Sequence, residues 1–387
     1  MNLDYLIENF KKNFQTEEGT LTFFAPGRVN LIGEHTDYNG GYVFPCALDV
    51  GTYAIARKRE DSKIRMISNN FPERGIIEAD INNLIYHQED DWANYPKAVV
   101  KTFKDVGFKI DEGFEVLFLG NIPNGAGLSS SASIELATSV LLKALFNLDI
   151  DMIDMIKLSQ KAENQFIGVN CGIMDQFASG MGKKDHAILL NTTTLEYQHV
   201  PVKLEGISIV IGDTNKRRGL TSSKYNERRS ECEGALEALQ KTLEIYALGD
   251  LDEEAFENNN HSIEKEVQRR RAKHAVYENQ RTIKAVKALN DNDIKLLGEL
   301  MNQSHISLRD DYEVSCIELD TLVASAWKYG AIGSRMTGAG FGGCTVSLVY
   351  DNMIEEFIEK VGNVYKEKIG YTVDFYVVSI GDGARQI

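Results

Sequence analysis

Between Ala25 and Gly41 the chain reads Ala-Pro-Gly-Arg-Val-Asn-Leu-Ile-Gly-Glu-His-Thr-Asp-Tyr-Asn-Gly-Gly. One arginine, two carboxylates, a histidine and four glycines share seventeen residues. A core strand wants apolar side chains. A surface turn has no use for Glu34, His35 and Asp37 placed together, with Arg28 close before them. A site that grips a small polyhydroxylated molecule does want them. Each hydroxyl both donates and accepts, and carboxylates and imidazole can satisfy it from two sides. The plainer alternative is a capped turn with solvated charges.

A second stretch, Asn121-Ile-Pro-Asn-Gly-Ala-Gly-Leu-Ser-Ser-Ser-Ala-Ser133, follows a strand pattern and opens a helical one. Small residues let the backbone approach an anion. Amides at a helix N-terminus then point at it, helped by the helix dipole. Neither a P-loop nor a dinucleotide fingerprint is present. A serine-rich helix cap without a ligand is the alternative. Glu163 lies beside an apolar stripe (Ile153, Ile156, Ala162, Phe166). Taken alone it reads as solvated. If its helix packs beside the serines, it becomes a second ligand for magnesium, which favours few carboxylates plus phosphate oxygens. Asp175 opens a short apolar helix, where an aspartate either complements the dipole or faces a reacting hydroxyl. Ser334 to Thr345 holds four glycines in six residues. It is either a hairpin or a turn packed closely against a ligand or the phosphate loop.

The elements that must carry these residues alternate through the first half. Strands are expected at 21–24, 52–57, 63–68 and 113–120, with helices at 92–106, 131–146 and 151–167. Short strands follow at 187–191, 197–202 and 207–212. From Thr221 to about Leu308 the pattern is helical and dense in charge, as in Glu264 to Lys273, and is expected to be a solvated layer over a sheet. A helix (316–329), the glycine turn, a strand (344–349), a helix (353–368) and a last strand (372–380) end the chain. The expected division is 1–205 and 206–387.

The bulk composition narrows the partners. The formal charge is −15, with 43% apolar residues. Such acidity repels nucleic acid and anionic membrane but leaves a nucleotide substrate possible, because backbone amides and a metal can hold phosphate locally. Five scattered cysteines without a C-x-x-C suit a reducing cytosol rather than a disulfide framework or a zinc site. No apolar run is long enough to span a membrane, and the amphipathic start with acids inside it is not a signal peptide.

Three motifs in this order are more specific than any one. The chain resembles the GHMP superfamily of small-molecule kinases. Its stretch Gly27 to Gly41 is similar to the galactokinase signature, with no departure at the motif positions. The resemblance implies an α/β (α+β) fold of two lobes. One has a mixed sheet with a left-handed βαβ crossover; the other has an antiparallel sheet with helices. It implies ATP-dependent phosphorylation of D-galactose at the C1 hydroxyl by a cytoplasmic, monomeric enzyme with small-molecule partners only. Carried over by residue, it makes Asp175 the catalytic carboxylate, with Arg28 beside it and the transferring phosphoryl group. Glu34, His35, Thr36, Asp37, Gly172 and Tyr225 would bind the sugar. Gly125, Ala126, Gly127, Leu128, Ser129, Ser130 and Ser131 would cradle the phosphates of ATP, with Ser68 lining the nucleotide pocket. Ser131 and Glu163 would hold Mg2+. Three alternatives share these motifs: the same transfer to N-acetylgalactosamine or another hexose, a sugar- and ATP-binding sensor without turnover, and a plain nucleotide-binding scaffold.

Overall fold

The computed structural model describes residues 3–122, 127–216 and 221–387. Its largest sheet has six strands, in the order Arg385–Gln386, Leu21–Asn30, Pro45–Lys58, Phe114–Gly120, Lys63–Ser68 and Ile77–Asp80. Neighbours are antiparallel except Lys63–Ser68 and Phe114–Gly120, which run parallel. Helix Asn94–Asp105 lies between those two strands in sequence. A parallel pair needs such a crossover, since a tight turn cannot return the chain in the same direction.

The central strand Phe114–Gly120 is apolar on both faces. Phe114, Val116 and Phe118 pack with Leu136, Leu141 and Phe177 of the helices over one face. Leu117 meets Leu6, Phe10 and Phe14 of the N-terminal helix Leu3–Phe14 on the other. Glu115, buried in the same strand, is paired with Arg57, Arg59 and Arg65.

A second, antiparallel sheet orders Gly333–Thr337, Cys344–Tyr350, Ile207–Asp213 and Asp374–Val378. Helices Ile317–Lys328 and Ile354–Ile369 cover one face through Leu322, Phe357 and Val361. The other face does not end at solvent. Ile209, Ile211, Val346 and Leu348 join Val29, Ile32 and Phe44 of the first lobe in one continuous core. The chain end also returns across the expected division, with Arg385–Gln386 pairing against Phe23 and Phe24. The two lobes are therefore locked by shared apolar burial, which is non-directional and grows with the area removed from water.

Two expectations need correcting. The strand expected at 21–24 runs on to Asn30, so Arg28 is held in a sheet rather than on a loop. The charge-dense stretch is a solvated layer on one side only: Glu264, Lys265 and Glu266 are exposed, but the opposite face is buried. Its longest helix, Glu266–Asn290, buries Arg271, His274, Glu278, Asn279, Arg281 and Thr282. His274, Glu278, Asn279 and Thr282 face the turn that carries Glu34, while Arg271 pairs with Glu231 and Glu313 and Arg281 with Glu278; buried charges are retained where they find partners.

Candidate active site

Arg28 emerges just after a register shift between Pro26 and Arg28. Gly27 before it has no room for a side chain: a Cβ would meet the Leu128 carbonyl at 2.7 Å. The serine loop therefore lies directly on this strand, and Arg28 N donates to Leu128 O at 3.1 Å. The guanidinium joins this loop to Asp175. Its Nε donates to Asp175 Oδ1 at 2.7 Å, its Nη2 to Asp175 Oδ2 at 2.8 Å and its Nη1 to Gly127 O at 2.8 Å. A planar fork on a carboxylate fixes orientation as well as charge. Asp175 sits in the first turn of helix Met174–Met181, yet its oxygens go to Arg28 and Ser129. Ser129 precedes helix Ser130–Phe146 with a left-handed φ of 61°. That conformation is uncommon for serine and costs energy, and here it aims Oγ at Asp175 Oδ2 at 2.5 Å.

Asp175, Arg28, Glu34, His35, Asp37, Gly172, Tyr225 and the three serines line one cavity of about 340 Å³. That is within the span of roughly 300–1,000 Å³ usual for small-molecule sites. Asp37 stands against Gly172, where a Cβ would overlap its Oδ2. Burial, then the nearby Asp175 and Glu34 carboxylates, push Asp37 up to about 7. Burial, then Asp37, push the Tyr225 phenol well above its usual range.

Glu34 is held from the second lobe. Its Oε1 accepts from Gly338 N at 2.7 Å and Thr337 Oγ1 at 2.9 Å, with Arg335 Nη2 at 3.2 Å. The turn itself is pinned by Glu278 Oε1, which accepts from Gly33 N at 2.9 Å and Glu34 N at 3.3 Å. Thr36 is not among the cavity-lining residues. Its Oγ1 is shared between the carbonyls of Gly33 and Tyr42, at 2.9 and 2.7 Å, so its work is to close the turn.

A second cavity adjoins the first across the helix start. Ser130 and Ser131 line both, and Ser68, Thr52, Trp92, Tyr95 and Phe118 are among the other residues lining the second. Leu128 sends its side chain into the core between the lobes, leaving only its backbone near the loop. Gly125 and Ala126 lie outside the described residues. The glycine turn after Thr337 is a paired-strand turn that also packs against the serine loop, where a Cβ on Gly338 would meet the Gly127 carbonyl at 3.3 Å. It joins two paired strands, and Gly338 and Ala339 also line the first cavity.

Glu163 is not solvated. It is buried, its Oε2 accepts from Gln176 Nε2 at 2.7 Å, and the Ser131 hydroxyl lies against its carboxylate. Burial, then Asp175, push it up to about 7. Gln176 Nε2 also reaches Glu135 Oε2 at 3.0 Å, and Glu135 is held well above the carboxylate range by burial and by Glu163. Among the described residues no group of three or more His, Cys, Asp or Glu is set to hold a metal. A carboxylate paired with a hydroxyl and crowded by other acids nevertheless fits a hard cation that brings phosphate oxygens as its remaining ligands.

Glu278, Arg335, Glu135 and Gln176 were not singled out from the sequence. For Glu278 a signal existed: His274, Glu278, Thr282, Ala285 and Leu289 fall at three- and four-residue steps on the buried face of one helix. The density of charge around it hid that stripe.

Two lobes sharing a core, with a serine-lined helix start at the cavity between them, define a GHMP-type small-molecule kinase. The GHMP kinases N terminal domain matches residues 94–183, and the GHMP kinases C terminal domain matches 285–367. The galactokinase galactose-binding signature matches residues 8–58. The chain is 60% identical to a galactokinase of Clostridium beijerinckii, covering 100% of this chain and 99% of that one. It is 56% identical to a Bacillus subtilis galactokinase, over 98% of this chain and 97% of the relative. It superposes on the crystal structure of Lactococcus lactis galactokinase complexed with galactose with a TM-score of 0.97, at 49% identity and full coverage of both chains. The Methanococcus jannaschii mevalonate kinase, at 20% identity and a TM-score of 0.65, shares the fold over 95% of this chain and 100% of its own. The chain belongs to the galactokinase family.

Proposed function

We propose that the protein transfers the γ-phosphoryl group of ATP to the C1 hydroxyl of D-galactose, giving galactose 1-phosphate and ADP. The observation that carries this reading is the meeting of Asp37, Asp175, Arg28 and the serine-lined helix start in one cavity, although they are far apart in the chain. Glu34, His35 and Asp37 hold the sugar hydroxyls, with Tyr225 and the backbone of Gly172 completing the wall. Asp175 accepts a hydrogen bond from the C1 hydroxyl and turns its oxygen toward phosphorus. A bond forms from that oxygen to the γ-phosphorus as the bond to the β-phosphate oxygen breaks, and the hydroxyl proton leaves toward Asp175.

Phosphoryl transfer is catalysed mostly by positioning and electrostatics. Arg28 supplies both, because one guanidinium holds Asp175 and the carbonyl of Gly127 in the serine loop. The amides from Gly127 to Ser131 cradle the phosphates, and Ser68 lines the nucleotide pocket. Ser131 and Glu163 would hold Mg2+, which neutralises charge on the β- and γ-phosphates when bound. Five free thiols suit a reducing cytoplasm. Its partners are galactose and ATP, and it acts on them as a monomer.

The test is coupled ADP detection over a hexose panel, on purified wild type and Asp175→Ala. Turnover should be greatest on galactose and vanish in Asp175→Ala, while calorimetry still detects galactose binding. Equal turnover on the C4 epimer would refute the substrate, and turnover by Asp175→Ala would refute the assigned carboxylate.

A further inference from the structure

We propose that Gln176 is a positioning residue for the metal: it orients Glu163 and, as a neutral donor, leaves that carboxylate its charge for the ion. This rests on the reading of Glu163 and Ser131 as Mg2+ ligands. Gln176 is fully buried and follows Asp175 in helix Met174–Met181. Consecutive side chains on a helix point roughly 100° apart. Asp175 therefore reaches Arg28 and Ser129, while Gln176 reaches Glu163 and Glu135. One helix start thus sets the Asp175 carboxylate and the metal-side acids in register.

The amide nitrogen carries two hydrogens and has two acceptors. Gln176 Nε2 donates to Glu163 Oε2 at 2.7 Å and to Glu135 Oε2 at 3.0 Å. The three side chains come from three elements. Helix Ser130–Phe146 bears Glu135, helix Met152–Ala162 widens into a π turn that begins at Glu163, and Gln176 ties the two together. Such turns are rare and frequent at functional sites. Among the described residues Gln176 Oε1 has no hydrogen-bond partner. A buried carbonyl left unpaired costs free energy, so the amide is kept for what its nitrogen does. Turned over, it would set an oxygen against a Glu163 ionised for a metal and be repelled.

Glu163 Oε2 is occupied by Gln176 and, at 3.5 Å, by the Cys171 thiol. Oε1 is left to meet Ser131 and the cavity that Glu163 and Ser131 both line. Ser131 lies one turn before Glu135 on the same helix face, so the second bond of the amide ties Glu163 to that face too. Mg2+ takes few protein ligands in near-octahedral geometry, so the direction of each one counts. A lysine or arginine in the place of Gln176 would hold Glu163 as firmly, but it would cancel the charge that draws the ion. An amide orients the carboxylate without competing for it.

Gln176→Met removes the amide at nearly constant length. Mn2+ is titrated into protein saturated with ADP and galactose. The protein-bound ion is read by water-proton relaxation enhancement, to which Mn2+–ADP free in solution contributes little. The Kd for Mn2+ should rise about tenfold in Gln176→Met, as it does when a partner of a metal ligand is lost. Calorimetric galactose affinity without nucleotide should stay within about twofold of wild type, because Glu34, His35 and Asp37 are untouched. Gln176→Asn keeps the amide but draws it back by one methylene. It should weaken Mn2+ as well, and it carries the test if Gln176→Met does not fold. Mn2+ affinity within about twofold of wild type in a folded variant overturns the proposal. An equal loss of galactose affinity overturns it too, since that marks a merely structural role. The reading beneath it fails separately, if Glu163→Gln binds Mn2+ as tightly as wild type does.

Discussion

Replacing Arg28 by lysine keeps the positive charge and removes the fork. In the structure the guanidinium makes two bonds to Asp175, at 2.7 and 2.8 Å, and one to Gly127 O at 2.8 Å. The side chain is only 4% exposed, so water cannot readily replace what is lost. A lysine ammonium can keep one contact with the carboxylate but cannot span both oxygens and the serine loop as a planar group does. Losing one charge-assisted hydrogen bond costs about 1.5–3 kcal/mol. If that loss falls on the transition state, kcat drops roughly 10- to 100-fold, at about 1.36 kcal/mol per decade. Galactose binding should suffer less, because Glu34, His35 and Asp37 are untouched. The assay is ADP release at saturating galactose and ATP, paired with calorimetric galactose affinity without nucleotide. A kcat within about twofold of wild type would refute the reasoning. So would a galactose KM that absorbs the whole effect.

Two further outcomes follow from the same cavity. Asp37 is raised to about 7 by burial and neighbouring carboxylates. A carboxyl raised on folding contributes stability that is present below its unfolded value, near 4, and lost as pH climbs through 7. Asp37→Asn should therefore stabilise the ligand-free protein near pH 8 by about 1–2 kcal/mol after screening, show no gain near pH 4, and weaken galactose binding. Melting curves showing the same difference at both pH values would contradict it. Glu278→Gln leaves one acceptor where Glu278 Oε1 now serves Gly33 N, Glu34 N and Ser304 Oγ, and sets an amide against Arg281. Galactose KM should rise about tenfold while ATP KM stays within about twofold; a matched rise in both would show general loosening.

Much of the scaffold was legible because it depends on local periodicity. Phe114, Val116 and Phe118 alternate along a strand, and Leu6, Phe10 and Phe14 repeat at four-residue steps on a helix. The types and order of the site residues were legible for a related reason. Arg28, Glu34, His35, Asp37 and the serine triplet are clustered locally, where neither a core nor a plain surface calls for them. Local pattern did not reveal which solvated-looking charges are buried. Glu163 and Glu278 read as surface acids because exposure depends on neighbours distant in sequence, and a helix's own charge density does not report them.

The amino-acid order by itself determined the chemistry on offer: a turn with donors and acceptors suited to a polyol, a helix start suited to an anion and a lone acid opening a short helix. Only folding decided that Arg28 bonds Asp175 across 147 positions of chain and that Glu34 accepts from Gly338 across 304. The reason is that hydrogen bonds and ion pairs act over a few ångströms, whereas the apolar core shared by the lobes brings their partners within that range.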